Sequence, residues 1–153
     1  MPEESPYERG ARIRREVLGD EHVARSLARA KSFSRPMQEF VTEHCWGAVW
    51  SRAGLGRRER SLVNIGILTA LNRSHELRVH VRGAVRNGCT PEEIQEVLLQ
   101  TAVYCGVPAA MEAFRVAESM LEELEHEGHA GDGAGAVDAD VRGRIVPKPE
   151  DER

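Results

Sequence analysis

From Pro6 to Glu125 every break in the hydrophobic pattern carries the chemistry of a helix end, and no stretch alternates polar with apolar residues well enough to make a strand. The chain is thereby restricted to helices packed on helices. Thr90-Pro91-Glu92-Glu93 is the sharpest boundary, with an N-cap hydroxyl, proline at the first helical position and a glutamate three residues after the cap. The helix it starts is expected from Pro91 to about Tyr104, burying Ile94, Val97, Leu98 and Ala102. Gly106 ends it, and Pro108 opens a last helix to about Glu125. Upstream, Pro6 opens an amphipathic segment from Tyr7 to Leu18, closed at Gly19, and Asp20 caps a short helix to about Ala30. Ser34 and Pro36 start a third, which carries Met37, Phe40, Val41, Cys45 and Val49 at helical spacings. Gly54-Leu55-Gly56 interrupts the chain before a helix from about Arg57 to Leu71. Its apolar residues run nearly all round, which predicts the central buried helix. A fifth helix, from about His75 to Asn87, ends at Gly88. The fold class is all-α, a single-domain bundle of about six to seven helices.

Composition changes near residue 127. Residues 128–153 hold five of the fourteen glycines, no aromatic residue, and six acids against four bases. Such a segment buries too little apolar area to offset its ordering entropy. The expected organisation is a flexible N-terminus over 1–6, a helical domain over 7–127 and a disordered Gly-rich acidic tail over 128–153. The net charge of −4 argues against general affinity for nucleic acid or anionic membrane. No apolar run is long enough to span a bilayer, and Met1-Pro2-Glu3-Glu4-Ser5-Pro6 lacks the basic start and apolar stretch of a secretory signal. Cys45, Cys89 and Cys105 form no CxxC pair, so a disulfide framework and a cysteine zinc site are both disfavoured and a cytoplasmic location is expected.

Several side chains have the types and spacing for chemistry. Glu76 and His80, four apart, share a face of the fifth helix. They read either as an exposed ion pair or as a histidine that a carboxylate orients for proton transfer. They supply only two metal ligands, with no HExxH to complete a set, so no metal is expected, and His75 should point elsewhere. Arg57, Arg58 and Arg60 crowd a helix start, where cations oppose the macrodipole. They form either a solvated turn with salt bridges or a grip for an anionic substrate, to which Arg73 and Arg78 could contribute. Trp46 and Trp50 suit core packing or the wall of a pocket, and Tyr104 suits packing or hydrogen-bond donation. Cys105, with no histidine near it in sequence, reads as a small buried hydrophobe.

Five blocks in order carry a resemblance: Trp46-Gly47-Ala48-Val49-Trp50, Arg57-Arg58-Glu59-Arg60-Ser61-Leu62, Glu76-Leu77-Arg78-Val79-His80, Gly88-Cys89-Thr90-Pro91-Glu92-Glu93-Ile94, and Leu98 through Tyr104-Cys105-Gly106-Val107-Pro108. Over roughly residues 7–120 the chain resembles the carboxymuconolactone decarboxylase family. The wider superfamily includes alkylhydroperoxidase-like proteins with a CxxCxxxH motif. Aligning that histidine on His80 puts Glu76 and Arg73 where the cysteines would stand and Ser61 at the position of a glutamate, so thiol peroxidase chemistry is excluded. The resemblance implies an alkylhydroperoxidase-like helical bundle assembled as a homotrimer or homohexamer. It also implies cofactor-free decarboxylation, within aromatic-compound catabolism, of a small dicarboxylate lactone. In such a substrate the conjugated lactone carbonyl receives the electrons left by CO₂. On this reading His80 and Glu76 are catalytic, arginines among Arg57, Arg58, Arg60 and Arg73 bind carboxylates, and Trp46, Trp50 and Tyr104 shape the pocket. The same residues would also serve a related enzyme acting on another lactone or small unsaturated acid, or a non-catalytic oligomer that binds small acids.

Overall fold

The computed structural model describes residues 3–131, and every regular element among them is helical. Helix α1 (Pro6–Leu18) starts at a reciprocal cap: the Glu8 amide donates to Ser5 Oγ at 3.2 Å and the Ser5 amide to Glu8 Oε2 at 2.9 Å. Gly19, at φ 90°, ends it and stands at the N-cap position of α2 (Asp20–Arg29), so Asp20 is the first helical residue instead of the cap. Helix α3 (Arg35–Phe40) runs on without a break into a π-helical segment (Val41–Trp50) where a regular α-helix was expected. Then follow α4 (Arg57–Ala70), α5 (Ser74–Arg86), α6 (Pro91–Cys105) and α7 (Val107–Gly131). The Thr90 cap of α6 forms as the sequence predicts, with the Glu93 amide donating to Thr90 Oγ1 at 3.2 Å and the Thr90 amide to Glu93 Oε2 at 3.0 Å. Helix α7 continues past Glu125, and residues 132–153 of the expected tail lie outside the described residues. No described helix is long and apolar enough to cross a membrane.

The buried residues form two cores. Helices α4 to α7 enclose Ile65, Leu77, Val81, Ile94, Leu98, Ala113, Ala117 and Met120, while α1, α2 and the π segment enclose Ile13, Val17, Leu18, Val23, Trp46 and Trp50. Helix α5 is the shared wall: Leu77, Val81 and Ala84 belong to the first core, and Val79 packs on the second. The expectation that the Arg57–Leu71 helix is the buried centre is corrected here. Helix α4 buries one stripe, Ser61, Ile65 and Thr69, and leaves Val63, Ile67 and, just past its end, Leu71 exposed. An apolar surface nearly all round a helix does not by itself mark the buried centre, because one face can stay uncovered by the rest of the chain. Cys105 is likewise exposed instead of buried, whereas Cys89 is buried and its thiol pKa is raised by that burial.

The tightest join in the second core is backbone on backbone. A Cβ added at Gly10 would stand 1.9 Å from the Thr42 carbonyl oxygen, and one at Gly47 would stand 2.1 Å from that of Pro6. Only hydrogen fits between α1 and the π segment at these points. Gly10→Ala gains about 1 kcal/mol of intrinsic helix propensity, but it must push apart two segments that cannot yield as side chains do. We expect a net loss of about 2 kcal/mol or more in chemical denaturation, while Gly54→Ala, with open space around it, leaves stability unchanged. Equal stability for the two variants would contradict this packing.

Candidate active site

A cleft of about 900 Å³ opens where the two cores meet, lined by α1, α2, α3 with the π segment, α5 and α7. His80 lies on its α5 wall, with Glu76 and His75 at the same margin. His75 therefore faces the cleft together with Glu76, against the expectation that it would point away. Trp46 lines the cleft and is nearly parallel to the His80 ring, with 5° between planes and centroids 6.2 Å apart. Trp50 borders the same ring at 6.3 Å and packs on Trp46 at 4.7 Å. The two indoles border one side of the His80 ring, which is half-buried on the cleft wall.

The hydrogen bond that orients His80 comes from α4, not from Glu76. Asn64 Nδ2 lies 3.4 Å from His80 Nδ1. With the amide in this orientation Asn64 donates, Nδ1 is the acceptor, and the proton of the neutral ring sits on Nε2. Glu76 is exposed and acts on the ring through charge alone. Burial first, and then His22 across the cleft, lower the His80 pKa to about 4, while Glu76 pulls it upward. His22 is lowered too, by burial and then by Arg14. His80 is thus an uncharged N–H donor at neutral pH.

Of the arginines singled out by sequence, only Arg78 lines the cleft. Arg57 pairs with Glu16 of α1, Arg58 pairs with Glu93 of α6, and Arg60 donates to the Arg52 carbonyl at 3.2 Å. Arg73 is exposed at the start of α5, and Tyr104 is 81% exposed at the end of α6. None of these five lines the cleft. Arg14, Arg25, Arg29, Arg78, Arg82 and Arg86 do. Arg82 holds Glu127 through two bonds of 2.7 and 2.8 Å, Arg78 pairs with Glu123, and Arg25 pairs with Glu21. Among the described residues Arg14, Arg29 and Arg86 have no carboxylate at ion-pair distance, which leaves the cleft with positive charge to offer an anion. Among the described residues no three His, Cys, Asp or Glu side chains converge as metal ligands.

Sequence reasoning passed over Arg14, His22 and Asn64, yet two of them left a signal. Arg14 shares the i, i+3, i+4, i+7 face with Gly10, Ile13 and Val17, and Asn64 is the polar residue inside Leu62-Val63-Asn64-Ile65. A polar group on a face that must be buried needs a partner or a task.

An all-helical chain with an uncharged histidine walled by indoles and a cationic cleft is built to hold a small anion beside a proton-bearing group. Residues 35–119 match the carboxymuconolactone decarboxylase family, and the chain belongs to that family. It is 44% identical over 124 residues to a 4-carboxymuconolactone decarboxylase of Acinetobacter baylyi, covering 81% of this chain and 92% of that protein. It is 42% identical over 122 residues to the nitrosuccinic acid decarboxylase npaB of Metarhizium robertsii, covering 80% and 85% respectively. A 4-carboxymuconolactone decarboxylase of Pseudomonas putida matches over 47 residues at 43% identity, covering 31% of this chain and 98% of that protein.

The depressed His80 pKa carries a sign for stability. The unfolded ring takes up its proton near 6.5 and the folded ring only near 4, so between these values the unfolded chain binds more protons and stability falls as pH falls. Complete protonation costs on the order of 3 kcal/mol from His80 alone, and His22 contributes in the same direction. Thermal melts between pH 7 and 4.5 should show this decline, and His80→Asn should flatten it. Parallel curves for the two proteins would show that His80 titrates normally.

Proposed function

We propose that this protein removes CO₂ from 4-carboxymuconolactone to give the β-ketoadipate enol-lactone, without a cofactor, as a step in protocatechuate breakdown. Two relatives that span most of the chain are named decarboxylases, and the chain is a carboxy-lyase of this family. The specific substrate is our reading. It is carried chiefly by His80, an uncharged donor held by Asn64 at the wall of a cleft with surplus positive charge.

The two named substrates have a chemical core in common. 4-Carboxymuconolactone and nitrosuccinic acid are both dicarboxylates, and each can pass the electron pair released with CO₂ into a conjugated oxygen acceptor, a lactone carbonyl in one and a nitro group in the other. Loss of CO₂ therefore needs no external electron sink. The protein must hold the dianion, stabilise the new oxyanion and allow protonation of carbon. A neutral Nε2–H aimed at that oxygen stabilises charge only as it develops, which accelerates the reaction instead of merely tightening binding. The substrate's negative charge and Glu76 both raise the His80 pKa, favouring a protonated ring when carbon takes its proton. Trp46 and Trp50 border one side of the ring, and the cations of the cleft draw the substrate in.

In the same reading the enzyme works in the cytoplasm as a homotrimer or homohexamer. What supports assembly is the apolar surface of Val63 and Ile67 on α4, Leu71 just past its end, and Leu99, Val103 and Tyr104 on α6, uncovered in a single chain. Nitrosuccinic acid is the second reading, favoured by the 42% relative. Incubation with each acid, following absorbance and CO₂ release, should show stoichiometric CO₂ from the lactone at the higher kcat/KM, and His80→Ala should lower its kcat by about 10²–10⁴-fold. No CO₂ from the lactone, or parental turnover in a folded His80→Ala protein, would contradict the proposal.

A further inference from the structure

Arg14 is buried, 6% exposed, in a setting where a cation normally needs a carboxylate beside it. Among the described residues all its hydrogen-bond partners are neutral. Nη1 donates to Thr42 Oγ1 at 3.1 Å, and Nη2 donates to Gln38 Oε1 at 2.9 Å and to Ser26 Oγ at 3.3 Å. Nε is buried with no acceptor among the described residues. Three separate elements, the π segment, α3 and α2, thus clamp the guanidinium in place without cancelling its charge. A fixed, uncompensated cation with a spare N–H is a costly arrangement for a structural residue and a prepared one for an anion. Arg14 also borders a smaller cavity of about 360 Å³ beside Tyr7 and Leu27, but the larger cleft holds His80 and the other unpaired cations, Arg29 and Arg86.

We propose that Arg14 binds the substrate carboxylate that is retained, and so decides which of two carboxylates is lost. This rests on the decarboxylase reading above. A carboxylate that leaves becomes neutral CO₂, so a strong guanidinium bond to it would favour the ground state over the transition state and slow the reaction. The cation therefore belongs on the carboxylate that keeps its charge. With that end anchored at Arg14, the other is directed toward the uncharged wall of Trp46 and His80. The residual affinity for Arg14 sets a preference for diacids over monoacids.

Gln38→Glu tests this with the guanidinium left in position, because it replaces the acceptor 2.9 Å from Nη2 by a carboxylate. An internal ion pair then occupies Arg14. The readout is kcat/KM for the diacid substrate against its methyl ester at the retained carboxylate. In the variant the diacid should lose about 10–100-fold more than the ester, mostly through KM, as expected for one charge-assisted contact. Arg14→Lys, which keeps the charge but not the fork, should give an intermediate loss. Equal losses on both substrates, or an unchanged ratio in both variants, would overturn the assignment. Calorimetric titration with succinate, which does not react, separates the two proposals. Binding to the parent that is lost in Gln38→Glu supports the Arg14 site even if no decarboxylation is found, and equal binding to both proteins overturns it.

Discussion

The contact between α1 and the π segment sets the geometry on which the rest depends. Gly10 and Gly47 let two backbones touch, and that contact places Thr42 beside Arg14 and the Trp46–Trp50 pair beside His80. One join thus positions both the cation and the aromatic wall of the cleft. Helical glycine carries a propensity cost of about 1 kcal/mol relative to alanine, which is tolerated here because no larger residue permits the approach. The π segment adds to this: Ser51 Oγ donates to the Gly47 carbonyl at 2.6 Å, and Arg9 Nε donates to the same carbonyl at 3.2 Å, tying the segment to itself and to α1.

Helix α5 converts this packing into a site. Because it is shared by two cores, its side chains divide between them, and His80 lies at the seam where neither core closes. The ring is desolvated by one set of neighbours and hydrogen-bonded by another, which separates the two controls on its chemistry. Burial and His22 keep it uncharged, while Asn64 fixes the tautomer. Around it the ion pairs of Arg78 and Arg82 with α7 are exposed and contribute little to stability, but they leave the unpaired arginines as the cleft's net charge.

What the sequence made legible follows from how local each signal is. The Thr90 cap, the proline start at Pro6 and the stop at Gly19 involve residues within a few positions of one another, so those helix ends fall where the sequence predicts. The π segment was not legible, because hydrophobic spacing of three and four does not distinguish it from an α-helix. His80, Glu76 and Trp46 were found by type and spacing, and the cleft brings them together. The arginines of α4 were not separable from structural ones, since their pairing with Glu16 and Glu93 joins residues far apart in sequence. Arg14 and Asn64 were visible as polar residues on buried faces, although only the fold shows what they meet.

The chemistry of the cleft turns on His80 being a neutral ring protonated at Nε2. Nitrogen-15 NMR of labelled protein, titrated from pH 8 to 4, reads this directly. A single neutral tautomer is expected, with Nδ1 unprotonated and Nε2 protonated, persisting to about pH 5 before titrating near 4. A ring that titrates near 6.5, or that carries its neutral-state proton on Nδ1, would contradict it.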